Sequence, residues 1–192
     1  MTLAGLQKHK ASKIIGIDAS TKSLAFCVFY NRKPVKWGKI NFEGSDVYER
    51  IKDAHPKVLA LAAEFDADFV CLEGAILANN KNVKVTIDLS LMYGAILSVL
   101  LAGRAKVVQV TPMTWQNFIG NKAFSPVETA KLKKDFPGKS TSWYTNKKRE
   151  IRKQRTMDFF NKKWPHMNLT DNDVGDAAGI AYHSYYHLTR RT

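Results

Sequence analysis

Three apolar runs of strand length follow the first twelve residues of the chain, and polar turns separate them. The runs cover Lys13–Asp18, Ser23–Tyr30 and Pro34–Phe42, with the polar turn 31–33 between the last two. They are rich in strand-forming residues, and the third roughly alternates apolar with polar positions. This pattern predicts a three-strand meander.

Helical and strand-like segments then alternate to the end of the chain. The predicted elements are a helix over 47–65, a strand over 69–73, a helix over 84–101, a strand over 106–110, a short helix over 112–119, a basic helix over 146–164 and a last helix over 173–188. This order predicts an α/β protein in which helices pack on a mixed sheet.

The length of 192 residues and the lack of internal repeats predict a single domain. Two segments stand outside its regular pattern. Residues 1–12 are expected to form a loose basic tail. Residues 120–146 contain Pro126, Pro137, Gly138 and a Ser/Thr cluster, which is typical of a flexible insertion.

Charge changes the functional picture. The chain has 30 Lys and Arg against 17 Asp and Glu, a net charge of +13. Residues 120–165 alone hold thirteen Lys or Arg against four acids, interleaved with aromatic side chains. This pattern favours nucleic-acid binding, although a solvated basic helix face beside a loop remains the alternative. The candidate DNA-binding residues in this stretch are Lys139, Lys147, Lys148, Arg149, Arg152 and Lys153.

Other classes of protein fit poorly. The two cysteines, Cys27 and Cys71, lie in apolar runs and form no zinc-type motif, so we expect no disulfide framework and a reducing, cytoplasmic compartment. The longest apolar stretch, Leu89–Gly103, contains polar interruptions and falls short of the ~20 residues that a membrane span needs. We therefore expect a buried helix and no membrane partner.

Four carboxylates carry the candidate chemistry. Asp18 and Glu73 each end a predicted core strand, and Asp173 and Asp176 share one face of the last helix. If the two strands are neighbours, their ends meet at one sheet edge. Oxygen-only ligands suit Mg²⁺ or Mn²⁺, and two such ions can drive phosphodiester cleavage. The alternative is structural: Asp18 could cap a turn and Asp173 a helix.

These segments resemble the RuvC-type Holliday junction resolvases of the ribonuclease H-like superfamily. IIGIDASTKSLAFCVF is similar to the family's first two strands, with Asp18 as its catalytic Asp. DADFVCLEGAILANNKN is similar to the strand of the catalytic Glu, here Glu73, and VVQVTPMTWQNFIGN to the fifth strand and its short helix. DVGDAAGIAYH matches the closing acidic motif and supplies Asp173 and Asp176.

The resemblance implies a ribonuclease H-like fold, in which a five-stranded mixed sheet combines the meander with two parallel strands. It also implies a homodimer that cuts four-way junctions in pairs, with two Mg²⁺ ions per site (or Mn²⁺), leaving 5′-phosphate and 3′-hydroxyl ends. LSLMYGAILSVLLAG would form the dimer interface. Ile76, Asn79 and Lys81 would contact DNA from the loop after Glu73. A nuclease for flaps, forks or RNA–DNA hybrids, or a non-catalytic branched-DNA binder, is the alternative.

The chain departs from the family pattern in three places. Trp115 stands near the position of a frequent family lysine, and Ile76 stands where well-known members have an aromatic residue. Residues 120–146 are also longer than usual, which resembles phage or otherwise divergent members. These differences bear on the choice of DNA substrate and leave the four carboxylates in place.

Overall fold

The computed structural model describes residues 12–74 and 83–189. The strands are β1 (Ile14–Ala19), β2 (Ser23–Tyr30), β3 (Lys33–Asn41), β4 (Phe69–Glu73) and β5 (Lys106–Val110). The helices are α1 (Val47–Phe65), α2 (Val83–Ala102), α3 (Pro112–Phe118), α4 (Pro126–Asp135), α5 (Thr141–Lys163) and α6 (Asn172–Leu188), with a short 3₁₀ helix at Pro165–Met167.

The strands form one five-stranded sheet in the order β3-β2-β1-β4-β5. β1, β2 and β3 are antiparallel neighbours, whereas β4 and β5 continue the sheet parallel to β1. Asn31 and Arg32 both have positive φ, so they close β2 and β3 with a tight hairpin turn. The parallel strands need longer connections, which α1 and α2 provide. The predicted mixed sheet is confirmed.

Helices cover both faces of this sheet. The odd-numbered β1 residues Ile15 and Ile17 join the core beneath α1 and α2, whereas Ile14 joins the core beneath α3, α5 and α6. A Cβ atom on Gly16 would lie 2.3 Å from the Ala177 backbone oxygen. Only glycine therefore lets α6 lie this close to β1, and that contact fixes the start of α6 relative to the end of the strand.

The segment predicted as a flexible insertion forms helices instead. α4 occupies its middle, and Ser125 and Glu128 form a reciprocal capping box at the start of that helix. α5 begins at Thr141, five residues before the predicted start at 146. Pro126 is compatible with the helix because it occupies the first turn, where the missing N–H would have no partner within the helix.

α2 differs from the expected buried helix. It has 20 residues and only part of one face packs on the sheet, through residues such as Met92 and Ile96. Ile87 and Leu101 are 51% and 62% exposed. By length and composition, α2 is also the one helix within the described residues that is long and apolar enough to cross a membrane. The expectation of too short an apolar stretch is thus corrected. Both cysteines are buried and free, as predicted.

Candidate active site

Two strand ends place Asp18 and Glu73 side by side. The last paired residues of β1 and β4 are Ile17 and Leu72, and the two acids follow directly. Side chains alternate along a strand, so Asp18 shares the face of Gly16 and Glu73 shares that of Cys71. That is the face covered by α6. The expectation that these two acids meet at one sheet edge is confirmed.

The first turns of α6 bring the other two acids to the same edge. Asp176 directly precedes Ala177, the residue that packs on Gly16. The carboxylates lie close enough to repel one another: Asp18 interacts with Asp173 and Asp176, and Glu73 with Asp18 and Asp176. Four acids that are distant in sequence therefore form one cluster.

The capping alternatives do not hold. Asp171, rather than Asp173, caps α6, and its side chain accepts hydrogen bonds from the backbone N–H groups of Asp173 and Val174 at 2.8 and 3.2 Å. Ser20, rather than Asp18, holds the turn after β1 by accepting the backbone N–H of Ser23 at 3.0 Å. The side chains of Asp18 and Asp173 are therefore not needed for these local structures.

Burial and mutual repulsion keep three of the acids partly protonated at neutral pH. Burial, followed by repulsion from Asp176 and Asp173, raises the pKa of Asp18 to about 7. Burial and the charge of Asp18 raise the pKa of Glu73 to about 7. Burial also raises the pKa of Asp176 to about 7, with Lys153 opposing it. Such pKa shifts cluster at functional sites, because carboxyl groups that are buried close together destabilise the folded protein.

Asp173 is held differently, by two lysines. Lys39 Nζ lies 2.7 Å from one of its oxygens and Lys153 Nζ lies 3.2 Å from the other. Burial acts to raise the pKa of Asp173, but the hydrogen bonds from these lysines outweigh it and lower the pKa. Lys153 also interacts with Asp18, Glu73 and Asp176, so its ammonium group is near the centre of the cluster.

Sequence reasoning missed Lys39. It pairs with Ala25, and Ala25 pairs with Asp18, so these three residues form one row across the sheet. Directly paired residues point to the same face, which turns Lys39 toward the acids. Lys39 also contacts Asp171 at 3.1 Å. Its position on an alternating surface strand carries no sequence signal for this role.

Sequence reasoning also missed the role of Trp115. Its indole Nε1–H donates to Glu73 Oε2 at 3.3 Å, and the side chain is fully buried. A Cβ atom on Gly179 would lie 2.4 Å from the Trp115 ring, so α6 accepts this indole only because residue 179 is glycine. This neutral donor fixes the orientation of Glu73.

A cavity of about 640 Å³ opens beside the acids, between α5 and the segment that follows α3. Glu73 and Asp176 line one end of it. Four of the six basic residues of the 120–165 stretch that are predicted to bind DNA line it as well: Lys148, Arg149, Arg152 and Lys153. α5 brings them to the cluster because it packs on α6, where a Cβ atom on Gly175 would lie 3.4 Å from Met157 and 3.6 Å from Thr156.

Two further predicted DNA contacts, Lys139 and Lys147, do not line this cavity. Lys147 pairs with Glu150 at 3.0 Å, and Lys139 lies over the ring of Trp143, 5.8 Å from its centroid. Three further predicted contacts lie outside the described residues: Ile76, Asn79 and Lys81.

The cluster fits a hard divalent cation by the chemistry of its donors. All four are carboxylates, and a bound dication would offset the burial and repulsion that raise three of their pKa values. Across residues 12–74 and 83–189, no group of three or more acidic, histidine or cysteine side chains could hold a metal ion as these side chains stand. Binding therefore requires the carboxylates to draw together and Asp173 to exchange its lysine partners for the ion.

The raised pKa values predict an unusual pH dependence of stability. Between pH 4 and pH 7 the folded state keeps protons on Asp18, Glu73 and Asp176 that the unfolded chain releases, so the free energy of unfolding falls as pH rises through this window. Burial lowers the pKa of His183 to about 4, so this one histidine makes the free energy of unfolding rise with pH. It offsets only part of the fall caused by the three carboxyls.

We expect the metal-free protein to lose on the order of 5 kcal/mol of stability between pH 5 and pH 8, measured by urea unfolding in EDTA. Asp18→Asn removes one titrating group and should flatten this curve. Mg²⁺ should restore stability at pH 8 and have little effect at pH 5. A stability that rises steadily over this range would show that the carboxyls ionise normally.

No family model matches the sequence, and no curated protein matches it. Solved structures do match the fold. Thermus thermophilus RuvC in complex with a Holliday junction substrate aligns over 91% of this chain and 94% of that chain, with a TM-score of 0.59 at 13% identity. A second structure of Thermus thermophilus RuvC covers the same shares, with a TM-score of 0.57 at 14% identity.

The yeast mitochondrial Holliday junction resolvase aligns over 97% of this chain and 84% of its own, with a TM-score of 0.55 at 12% identity. The likeness extends over almost the whole length of each protein and includes the mixed five-stranded sheet with its flanking helices. The chain therefore has the ribonuclease H-like fold of the RuvC-type Holliday junction resolvases.

Proposed function

We propose that the protein is a divalent-metal-dependent endonuclease that resolves four-way DNA junctions by paired cleavage. The observation that carries the proposal is a juxtaposition. Asp18, Glu73 and Asp176 form a buried acidic cluster at one end of a cavity whose walls carry four cationic side chains. An acidic cluster alone repels DNA, and a basic wall alone only binds it. Together they can hold a phosphodiester against a metal site.

Each part of the site has a separate task in this proposal. Asp18, Glu73, Asp173 and Asp176 would hold two Mg²⁺ or Mn²⁺ ions, whose chemistry would be activation of the attacking water and stabilisation of the departing 3′ oxygen. Trp115 holds Glu73 in place through its indole N–H. Lys39 and Lys153 keep Asp173 ionised before the ions arrive. The products carry 5′-phosphate and 3′-hydroxyl ends.

The direct test is cleavage of a mobile and an immobile four-way junction with Mg²⁺, in which the symmetry of the two nicks is scored. Fork, flap and RNA–DNA hybrid substrates of equal length run in parallel. Faster cutting of the four-way junction, at opposed positions, supports the proposal. Preferred cutting of a flap, fork or hybrid supports a different ribonuclease H-like nuclease. Metal-independent binding without a nick would leave only a branched-DNA binder.

We further propose that α2 is the contact of a two-fold dimer, since opposed cuts need two active sites. Along α2, exposed residues recur at alternating steps of four and three positions, and we call this line of residues the seam. These residues are Ile87, Leu91, Gly94, Ser98 and Leu101. Such spacing is typical of helices that pack along each other, and Gly94 has open space above it that allows close approach.

A charge placed in this seam should separate the dimer. We expect Leu91→Asp to sediment as a monomer and to leave single, unpaired nicks on junctions, because each monomer brings one active site. Leu91 is exposed, so the monomer should keep its fold. Leu59→Asp is the matched control, since Leu59 is an exposed leucine on α1. A wild-type protein that is monomeric on DNA, or that sediments only with lipid vesicles, would contradict the dimer.

A further inference from the structure

The floor of the cavity is a polar network built by α3, α5 and the segment between α3 and α4. Asn121 donates from Nδ2 to the Arg152 carbonyl at 2.7 Å and to Thr156 Oγ1 at 2.9 Å. Arg152 in turn donates to the Gln116 side chain and, at 3.3 Å, to the Asn121 carbonyl. These bonds hold the floor in one conformation.

Two polar atoms of this floor have no partner. Asn121 Oδ1 and Arg152 Nε are buried and make no hydrogen bond among the described residues. Asn121 is only 4% exposed. Buried polar groups are satisfied in the great majority of cases, so this floor keeps the capacity to form one more hydrogen bond as an acceptor and one more as a donor. A nucleobase edge offers both a donor and an acceptor.

One wall carries a single aromatic ring, that of Phe124. The Arg155 guanidinium lies 4.8 Å from the ring centroid, and Glu128 holds Arg155 at 2.8 Å. Glu128 belongs to the capping box of α4, so this helix anchors the ring against α5. Lys148 Nζ lies 5.8 Å from the same centroid, on a long side chain that a ligand can displace toward its own phosphate.

We propose that the cavity takes one unpaired nucleotide of the strand being cut, adjacent to the scissile phosphate, with its base on Phe124 and its phosphate between Lys148 and Arg149. The inference rests on the proposed function, in which Glu73 and Asp176, both lining the cavity, mark where the phosphate is cut. The volume of about 640 Å³ suits a ligand of nucleotide size. Unstacking a base at a branch point costs little free energy, so a junction can supply such an unpaired nucleotide.

The test combines one protein change with single abasic sites in the junction. Binding is measured in EDTA, so that nothing is cut. Stacking of a base on an aromatic ring is worth roughly 1–3 kcal/mol, so Phe124→Ala should weaken binding of the intact junction about tenfold. An abasic site at one position beside the cut should cost the wild type the same factor and remove any further effect of Phe124→Ala. Phe124→Tyr should retain wild-type affinity.

Phe136→Ala is the matched control, because Phe136 is another aromatic residue of the 120–146 segment that packs on Trp143 and does not line the cavity. Equal Phe124→Ala penalties on intact and all abasic junctions would overturn the pocket and leave the nuclease proposal intact. Binding of a free deoxynucleoside monophosphate in the cavity without displacement of the junction would identify a free-nucleotide site and also overturn it. Failure of the wild type to bind or cut any branched DNA would remove both proposals.

Discussion

Replacing Asp18 with Asn, or Glu73 with Gln, should abolish junction cleavage while binding persists. Each change keeps the size of the side chain and removes one carboxylate from the proposed ligands of the cluster. We expect a loss of about 4 kcal/mol or more in transition-state stabilisation, a factor of about 10³ in rate. Single-turnover cleavage with Mg²⁺ measures the rate, and a gel-shift assay in EDTA measures binding.

The binding result makes the experiment specific. Asp18 and Glu73 repel the phosphate that the basic wall attracts, so their neutral variants should bind the junction at least as tightly as the wild type in EDTA. They should also be more stable at pH 8, because each removes a carboxyl whose pKa burial has raised to about 7. Misfolding would reverse both effects. Asp158→Asn, a change at an exposed acid of α5, is the control and should cut normally. Variants at Asp18 or Glu73 that still cut would refute the site.

Binding of the junction should fall steeply with salt. Four cations line the cavity, and the logarithm of affinity falls by roughly 0.9 for each phosphate neutralised per logarithmic unit of salt. Contacts from these four alone predict a loss of about 10²-fold between 50 and 200 mM salt. Fluorescence anisotropy of a labelled junction, measured in EDTA over this range, gives the slope.

Single substitutions assign this slope to the cavity. Lys148→Ala and Arg149→Ala should each reduce it by about one unit, since each removes one phosphate contact. Lys52→Ala is the matched control: Lys52 is an exposed lysine on α1, which covers the opposite face of the sheet. A slope near zero, or one that Lys52→Ala lowers as much as Lys148→Ala does, would show that the cavity does not hold the DNA backbone.

Local pattern was enough to predict most elements. Ser23–Tyr30, Val47–Phe65 and Phe69–Glu73 have the predicted bounds, because strong apolar periodicity and the Asp46 cap act within a few residues of chain. The main error, over 120–146, came from treating Pro126 and its polar neighbours as loop. The sequence Ser125-Pro-Val-Glu128 is itself a capping-box signature, so a local signal for α4 was present in the chain.

The acidic cluster was accessible from sequence for a similar reason. Asp18 and Glu73 end buried strands and Asp176 begins a helix, and the ends of adjacent parallel strands must share one sheet edge. The partners of these acids were not accessible. Lys39 reaches the cluster only through the pairing register of β2 and β3, and Trp115 reaches Glu73 only because Gly179 leaves room for its ring.

The order of the elements and the concentration of positive charge are therefore properties of the sequence itself, since each depends on residues close together in the chain. Each of the four acids is likewise marked locally, by the strand that it ends or the helix in whose first turns it lies. Tertiary structure alone decided that Lys148, Arg149, Arg152 and Lys153 line the same cavity as Glu73, and that Lys139 and Lys147 do not. The physical reason is the packing of α5 on α6 at Gly175. That contact sets the rotation of a helix that is basic on several sides, and nothing local in its sequence distinguishes those sides.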